Sequence, residues 1–216
     1  MKAWEQLAGR PVTEIPGVWY QRPTWYKGNR FSVVGHEAEV EWPPYSEMMD
    51  FELELACVIG RKGRDIPGSE AMAHGFGFTI FNDFSARDTQ MVERPLGMGP
   101  MKGKDFDTGN AFGPWIVTTD EIGDPVALDM TVRVNVERWG GGNSRDMQHS
   151  FAQIVAFISR SETLYPGEIV ASGTVGTGCG LERVRFLAPG DLVELEIEKI
   201  GVLRNRIVRP ARRPAG

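Results

Sequence analysis

Cysteine is scarce in this chain of 216 residues. Its two thiols, Cys57 in an apolar run and Cys179 in a glycine-rich stretch, are too few for a disulfide framework, and a reducing, cytoplasmic compartment is expected. Long hydrophobic runs are missing as well. No segment approaches the roughly 20 apolar residues that span a bilayer, and Met1-Lys2-Ala3-Trp4-Glu5-Gln6 lacks the apolar core of a signal peptide, so a soluble protein with no membrane partner is expected. Nor is there an excess of positive charge: 24 Lys and Arg against 29 Asp and Glu give a net charge of -5, which excludes a global field for a polyanion and argues against a nucleic-acid partner. The late arginines Arg206, Arg209, Arg212 and Arg213 stand among prolines and read as a solvated tail. Histidine is sparse, at positions 36, 74 and 149 only. A hydrophobic content of 41% is enough for one sizeable core and points to a single domain.

Against these absences stands the run Asp50-Phe51-Glu52-Leu53-Glu54-Leu55-Ala56-Cys57-Val58-Ile59-Gly60. It reads as a strand from Phe51 to Ile59. Side chains on a strand alternate between faces, so Glu52 and Glu54 share one face and Phe51, Leu53 and Leu55 the other. Two carboxylates about 4 Å apart repel by roughly 4 kcal/mol at an effective dielectric near 20, which a bridging cation would relieve. A pair of surface glutamates on a half-exposed strand fits the same pattern.

The first forty-odd residues, rich in Pro, Gly, Trp and Tyr, read as loops and short extended pieces. Ser69 is placed to cap a short helix over 70–74, which Gly75 closes. Phe76 to Asn82 reads as a second strand delivering Asp83 at its end. Ser85-Ala86-Arg87-Asp88 resembles a capping box, so a helix is expected to start there with Arg87 and Gln90 on one face. Trp115 to Thr119, Met130 to Val136, Glu168 to Ser172 and Leu192 to Glu198 alternate like strands, and Phe151 to Ser159 reads as a helix. This spacing predicts an α+β, β-rich domain and not a doubly wound parallel sheet.

The ordered set Asp50 to Leu55, Phe81-Asn82-Asp83-Phe84-Ser85-Ala86-Arg87-Asp88-Thr89-Gln90, Gly103-Lys104-Asp105-Phe106-Asp107, Gly113-Pro114-Trp115, Pro166 to Thr174 and Pro189-Gly190-Asp191 through Arg206 resembles the fumarylacetoacetate hydrolase family. The resemblance covers residues 24–209, leaving 1–23 as an N-terminal segment, read as a remnant of a lid region, and 210–216 as a flexible tail. It implies a mixed β-roll, a homodimer, a role in the catabolism of aromatic compounds, and Mg2+ or Mn2+ held by Glu52, Glu54 and Asp83. An all-carboxylate set suits such a hard cation better than zinc. The resemblance places Lys27, Arg87, Gln90 and Thr174 around a small 2-oxo or β-diketo acid substrate, and Lys104 as the catalytic cation that stabilises an enolate. Lys104 can equally be a solvated surface lysine, with Lys102 two residues away. The loop of Gly176, Gly178 and Gly180 can be an ordinary tight turn; it is no P-loop, because no Gly-Lys-Ser/Thr follows. Trp19, Tyr20, Trp25, Tyr26 and Phe31 supply either an apolar wall at the mouth or plain core packing.

Three departures bear on the reaction. Hydrolytic members of the family carry a His with a Glu three positions on, upstream of the lysine matching Lys27; Glu5 fits the glutamate, which puts Lys2 at the histidine. Asn135-Val136-Glu137 stands where Asn-Gly-Glu is usual, a change in a hairpin turn, and Val175 replaces a frequent proline. The implied function is therefore a metal-dependent hydrolase that cleaves a carbon–carbon bond in a β-diketo or 2-oxo acid through an enolate. A decarboxylase or keto-enol isomerase of a 2-oxo dicarboxylate, which needs no activated water, is the alternative, and a catalytically silent homologue the third reading.

Overall fold

The computed structural model describes residue 9, residues 14–123 and residues 126–210. Two five-stranded sheets carry the architecture. The first runs in the order Val33–Val34, Asn110–Thr118, Gly75–Asp83, Leu53–Ile59, Ile169–Ala171, antiparallel except for its parallel first pair. The second runs Glu137–Asn143, Asp129–Val134, Leu192–Ile197, Gly201–Val208, Glu39–Glu41, again with one parallel pair at its edge. The chain is therefore strand-rich α+β, as its sequence pattern implies.

Alternation explains how the sheets meet. Leu53, Leu55, Phe78 and Ile80 of the first sheet share one core cluster with Val132, Val134, Val193, Leu195, Ile197, Leu203 and Ile207 of the second. Each such side chain, once fully buried, contributes about 1.5–3 kcal/mol. Leu53–Ile59 lies inside its sheet and is buried at all seven positions, so the faces of this strand that do not enter the core are also covered, Glu54 among them. The helix Phe151–Ile158 starts at a capping box, with Ser150 Oγ accepting from Gln153 N and Gln153 Oε1 accepting from Ser150 N. It contributes Val155 to a smaller cluster with Ile59, Ile66, Ala71 and Leu164.

Several local expectations are corrected. The long strand begins at Leu53, because Glu52 bridges to Cys179 and donates its N–H to Asn82 Oδ1. The turn Ala71–His74 is a 3-10 helix preceded by Glu70, without a side-chain cap. Ser85–Ala86 is a short strand paired with Met49–Asp50, and the helix that follows, Arg87–Glu93, has no side-chain cap. The Asp88 carboxylate instead accepts from Ser46 Oγ and Glu47 N. A short helix, Val18–Gln21, occupies part of the region read as loops. Arg206 belongs to a strand and donates to Gly190 O, while Arg209 stacks over Trp42 and pairs with Glu47, so neither is solvated tail. Lys2, Glu5, Arg212 and Arg213 lie outside the described residues.

Candidate active site

The register of the first sheet assembles the carboxylates. Leu53 faces Asn82 and Glu54 faces Phe81, while Asp83 N donates to Glu52 O at 3.2 Å. Asp83 therefore ends its strand beside the start of its neighbour. One oxygen from each of Glu52, Glu54 and Asp83 falls within 4.8 Å of the others. Glu54 and Asp83 are buried and Glu52 nearly so.

Lys104 enters from a turn that other residues fix. Ala86 N donates to Gly103 O, and the Glu93 carboxylate accepts from Lys102 N and Gly103 N at 2.9 and 2.8 Å. Lys104 Nζ then lies 2.7 Å from Glu52 Oε2 and 2.8 Å from Asp83 Oδ2, and donates to Asp83 O at 2.9 Å. It is buried, whereas Lys102 is exposed. Arg87 is 1% exposed; its Nη1 reaches Glu52 Oε1 and Gln90 Oε1, and its other edge holds Asp50. Thus Arg87 and Gln90, three apart on one helix, do meet.

The loop after Ser172 is stitched to the same strand. Ser172 N donates to Leu55 O, Val175 N to Leu53 O, and Gly173 N to Glu54 Oε2 at 3.1 Å. Thr174, half-buried, follows directly. Gly140 backs this loop, since a Cβ there would stand 1.9 Å from Thr177 O. Tyr26 closes the other side: its hydroxyl donates to Asp83 Oδ2, while the neighbouring Trp25 packs edge-on against Phe157 at 5.7 Å. Lys27 is not brought to the cluster. Its Nζ pairs with Glu162 at 2.5 Å and its side chain is 74% exposed. Each histidine is engaged elsewhere: His36 Nδ1 accepts from Arg204 N, His74 Nδ1 lies 3.0 Å from Arg61 O, and His149 Nε2 lies 3.1 Å from Trp19 O.

Burial and charge divide the groups. Burial would raise the Glu52 carboxyl, but Lys104 and Arg87 outweigh it and hold Glu52 down at about 2. Burial, then the charges of Asp83 and Glu52, push Glu54 well above the usual carboxylate range. Asp83 is raised mainly by burial, against the pull of Lys104. Burial would lower Lys104, yet Asp83 and Glu52 keep it charged. The Tyr26 phenol is driven up by burial and by Asp83, so it stays a proton donor. Glu52, Glu54 and Asp83, with Asp50 beside them, outnumber the two cations Lys104 and Arg87 that pair with them, and they present an all-oxygen donor set. That chemistry fits a hard divalent cation.

Two features escaped the sequence reading. Asp50 is fully buried and paired with Arg87; its signal was the parity of Asp50, Glu52 and Glu54. The Tyr26 hydroxyl had no signal beyond the aromatic richness of its segment.

Comparison with known proteins gives a consistent picture. The family model described as fumarylacetoacetate (FAA) hydrolase C-terminal matches residues 5–208. The chain is 43% identical over 178 residues to oxaloacetate tautomerase FAHD2A, mitochondrial, of Homo sapiens, covering 82% of this chain and 56% of that protein. It is 39% identical over 179 residues to 2,4-didehydro-3-deoxy-L-rhamnonate hydrolase of a Sphingomonas species, covering 82% of this chain and 61% of that protein. The chain thus spans little more than half the length of these curated relatives. Among solved structures, fumarylpyruvate hydrolase from Pseudomonas aeruginosa, in complex with Mn2+ and pyruvate, superposes with a TM-score of 0.81 at 26% identity over 97% of this chain and 86% of that one.

Proposed function

The chain belongs to the fumarylacetoacetate hydrolase family, and from that premise we propose that it is a divalent-metal enzyme that forms the enolate of a small 2-oxo acid, with keto–enol tautomerisation of a 2-oxo dicarboxylate as its reaction. The observation that carries this reading is the Lys104 ammonium fixed between Glu52 and Asp83. Glu52, Glu54 and Asp83 would hold Mg2+ or Mn2+, which supplies a Lewis acid toward the oxygens of a 2-oxo carboxylate. Lys104 Nζ offsets negative charge as it develops on the enolate oxygen, a preorganised contact that costs no reorientation during the reaction. Tyr26 Oη, still protonated, offers a hydrogen bond at the Asp83 edge. The Gly173–Thr174 segment, held against Glu54, and Gln90, held by Arg87, are the remaining candidates for orienting the substrate. The likeness to the oxaloacetate tautomerase supports this reaction, and the neighbour with Mn2+ and pyruvate supports the metal and the 2-oxo acid.

A second reading is hydrolysis of a carbon–carbon bond in a β-diketo acid, in which the same enolate is the leaving group; the likeness to the two hydrolases favours it. It needs a base for water, and none of the three histidines reaches the cluster. A turnover screen of enol-oxaloacetate against acylpyruvates, with Mg2+ and Mn2+, separates the two. A homodimer belongs to the same reading: Phe76, Trp115 and Ile116, all at least 45% exposed, lie on paired strands of the first sheet and are apolar surface available to a second copy.

A further inference from the structure

Asp50 contacts neither the carboxylate cluster nor any open surface, yet it accepts four hydrogen bonds and makes one further ion-pair contact. Its Oδ1 accepts from Phe51 N at 2.9 Å and Gly180 N at 2.8 Å; its Oδ2 accepts from Leu181 N at 2.9 Å and Arg87 Nε at 2.8 Å, and lies 2.8 Å from Arg87 Nη2. The carboxylate is 0% exposed. These partners come from 1, 37, 130 and 131 positions away, so one side chain ties the metal strand, the helix carrying Arg87 and the end of the glycine loop. Gly180 is required by this approach, because a Cβ there would stand 2.6 Å from Asp50 Oδ1 and 1.9 Å from Arg185 O.

A guanidinium is a rigid planar fork, so fixing one edge fixes the direction of the other. With Nε and Nη2 on Asp50, Nη1 is left aimed at Glu52 Oε1, 2.8 Å away, and at Gln90 Oε1, 2.9 Å away. Lys104 takes the second oxygen of Glu52. Glu52 is thus oriented at both oxygens before any ion arrives, and Arg87, 1% exposed, presents no edge to a substrate.

We propose that Asp50 is a positioning residue that acts through Arg87 to orient Glu52 for a divalent cation, and that Arg87 serves this relay and not substrate binding. The inference rests on the metal-site reading above and goes beyond it by assigning two residues outside the ligand set.

Mn2+ affinity, measured on the metal-stripped protein by titration calorimetry and by electron paramagnetic resonance, tests it without any substrate. Outer partners of metal ligands typically cost 10- to 100-fold in affinity when replaced. Asp50→Asn and Arg87→Lys are each expected to weaken Mn2+ binding within that range, and the double variant no more than the weaker-binding single, because the two act in series. Thermal melts establish that each variant is folded. If Asp50→Asn does not fold, Asp50→Asn/Arg87→Gln, which removes both buried charges, takes its place and must show the same loss. Wild-type affinity in a folded Asp50→Asn or in that pair, or losses that multiply in the double variant, would overturn the proposal. Failure of the wild-type protein to bind Mn2+ at all would instead overturn the metal-site reading beneath it.

Discussion

Lys104 grips Asp83 twice, its Nζ lying 2.8 Å from the Oδ2 and 2.9 Å from the main-chain carbonyl oxygen. The side chain is therefore set by the backbone at the strand end as well as by the carboxylate. Lys104→Ala is expected to lower kcat/KM by about 2–4 kcal/mol of transition-state stabilisation, the scale for one preorganised donor. Steady-state kinetics on the folded variant would show this; a loss below tenfold would remove Lys104 from the chemistry.

Tyr26 contributes one hydroxyl to the same edge. Tyr26→Phe keeps the ring and its packing but deletes the donor to Asp83. The expected result is a fall in kcat of about 10- to 100-fold, with a melting temperature within about 2 °C of wild type. Unchanged kcat would make the phenol a structural cover only.

The acid cluster predicts a trade of stability against metal binding. Glu54 titrates higher in the fold than its ordinary value of 4.5. A carboxyl so raised is protonated in the fold while already ionised in the unfolded chain, so the metal-free protein loses stability as pH climbs from about 4.5 toward the raised value. Glu52, held near 2, works oppositely and loses its contribution only as pH falls from 4.5 toward 2. Glu54→Gln is expected to raise the melting temperature of the metal-free protein at pH 7 by a few degrees, as about 1 kcal/mol does in a domain of this size, and to abolish stabilisation by added Mn2+. Scanning calorimetry at pH 5 and pH 7.5 reads both effects.

The hairpin joining Asp129–Val134 to Glu137–Asn143 carries a strained residue. Asn135 and Val136 have φ of 49° and 67°, the left-handed pair of a two-residue turn, although Val136 is β-branched. That conformation costs roughly 1–2 kcal/mol for an L-residue, against about 0.5–1 kcal/mol of extra chain entropy lost by glycine. Val136 is 84% exposed and gives up no packing. Val136→Gly should therefore raise the melting temperature by about 2 °C; a decrease would contradict the strain.

The parts of the site that repeat at short range were legible in the sequence. Glu52 and Glu54 share a face because strands alternate, and the stretch Phe151 to Ser159, read as a helix, forms one over Phe151–Ile158. What was illegible depends on partners far along the chain. Ser85 carries a capping pattern, but pairing of Ser85–Ala86 with Met49–Asp50 made it a strand. Lys27 pairs with Glu162, 135 positions on, a partner that no local pattern announces. Arg206 looked like tail because it stands near the chain's late prolines, yet it pairs with Leu192 across a hairpin and with Glu39 on the other side. Asp50 could be seen as a carboxylate, but only the fold shows that its charge is spent on Arg87 and not on an ion.

The central claim, that the carboxylate cluster and Lys104 together drive enolate chemistry on a 2-oxo acid, is tested most directly by the ultraviolet decay of enol-oxaloacetate in the presence of the purified protein. After stripping with EDTA the protein should leave the decay at its uncatalysed rate, added Mn2+ or Mg2+ should restore catalysis, and Asp83→Asn should stay inactive with either ion. Full catalysis in excess EDTA, or by metal-stripped Asp83→Asn, would contradict the account.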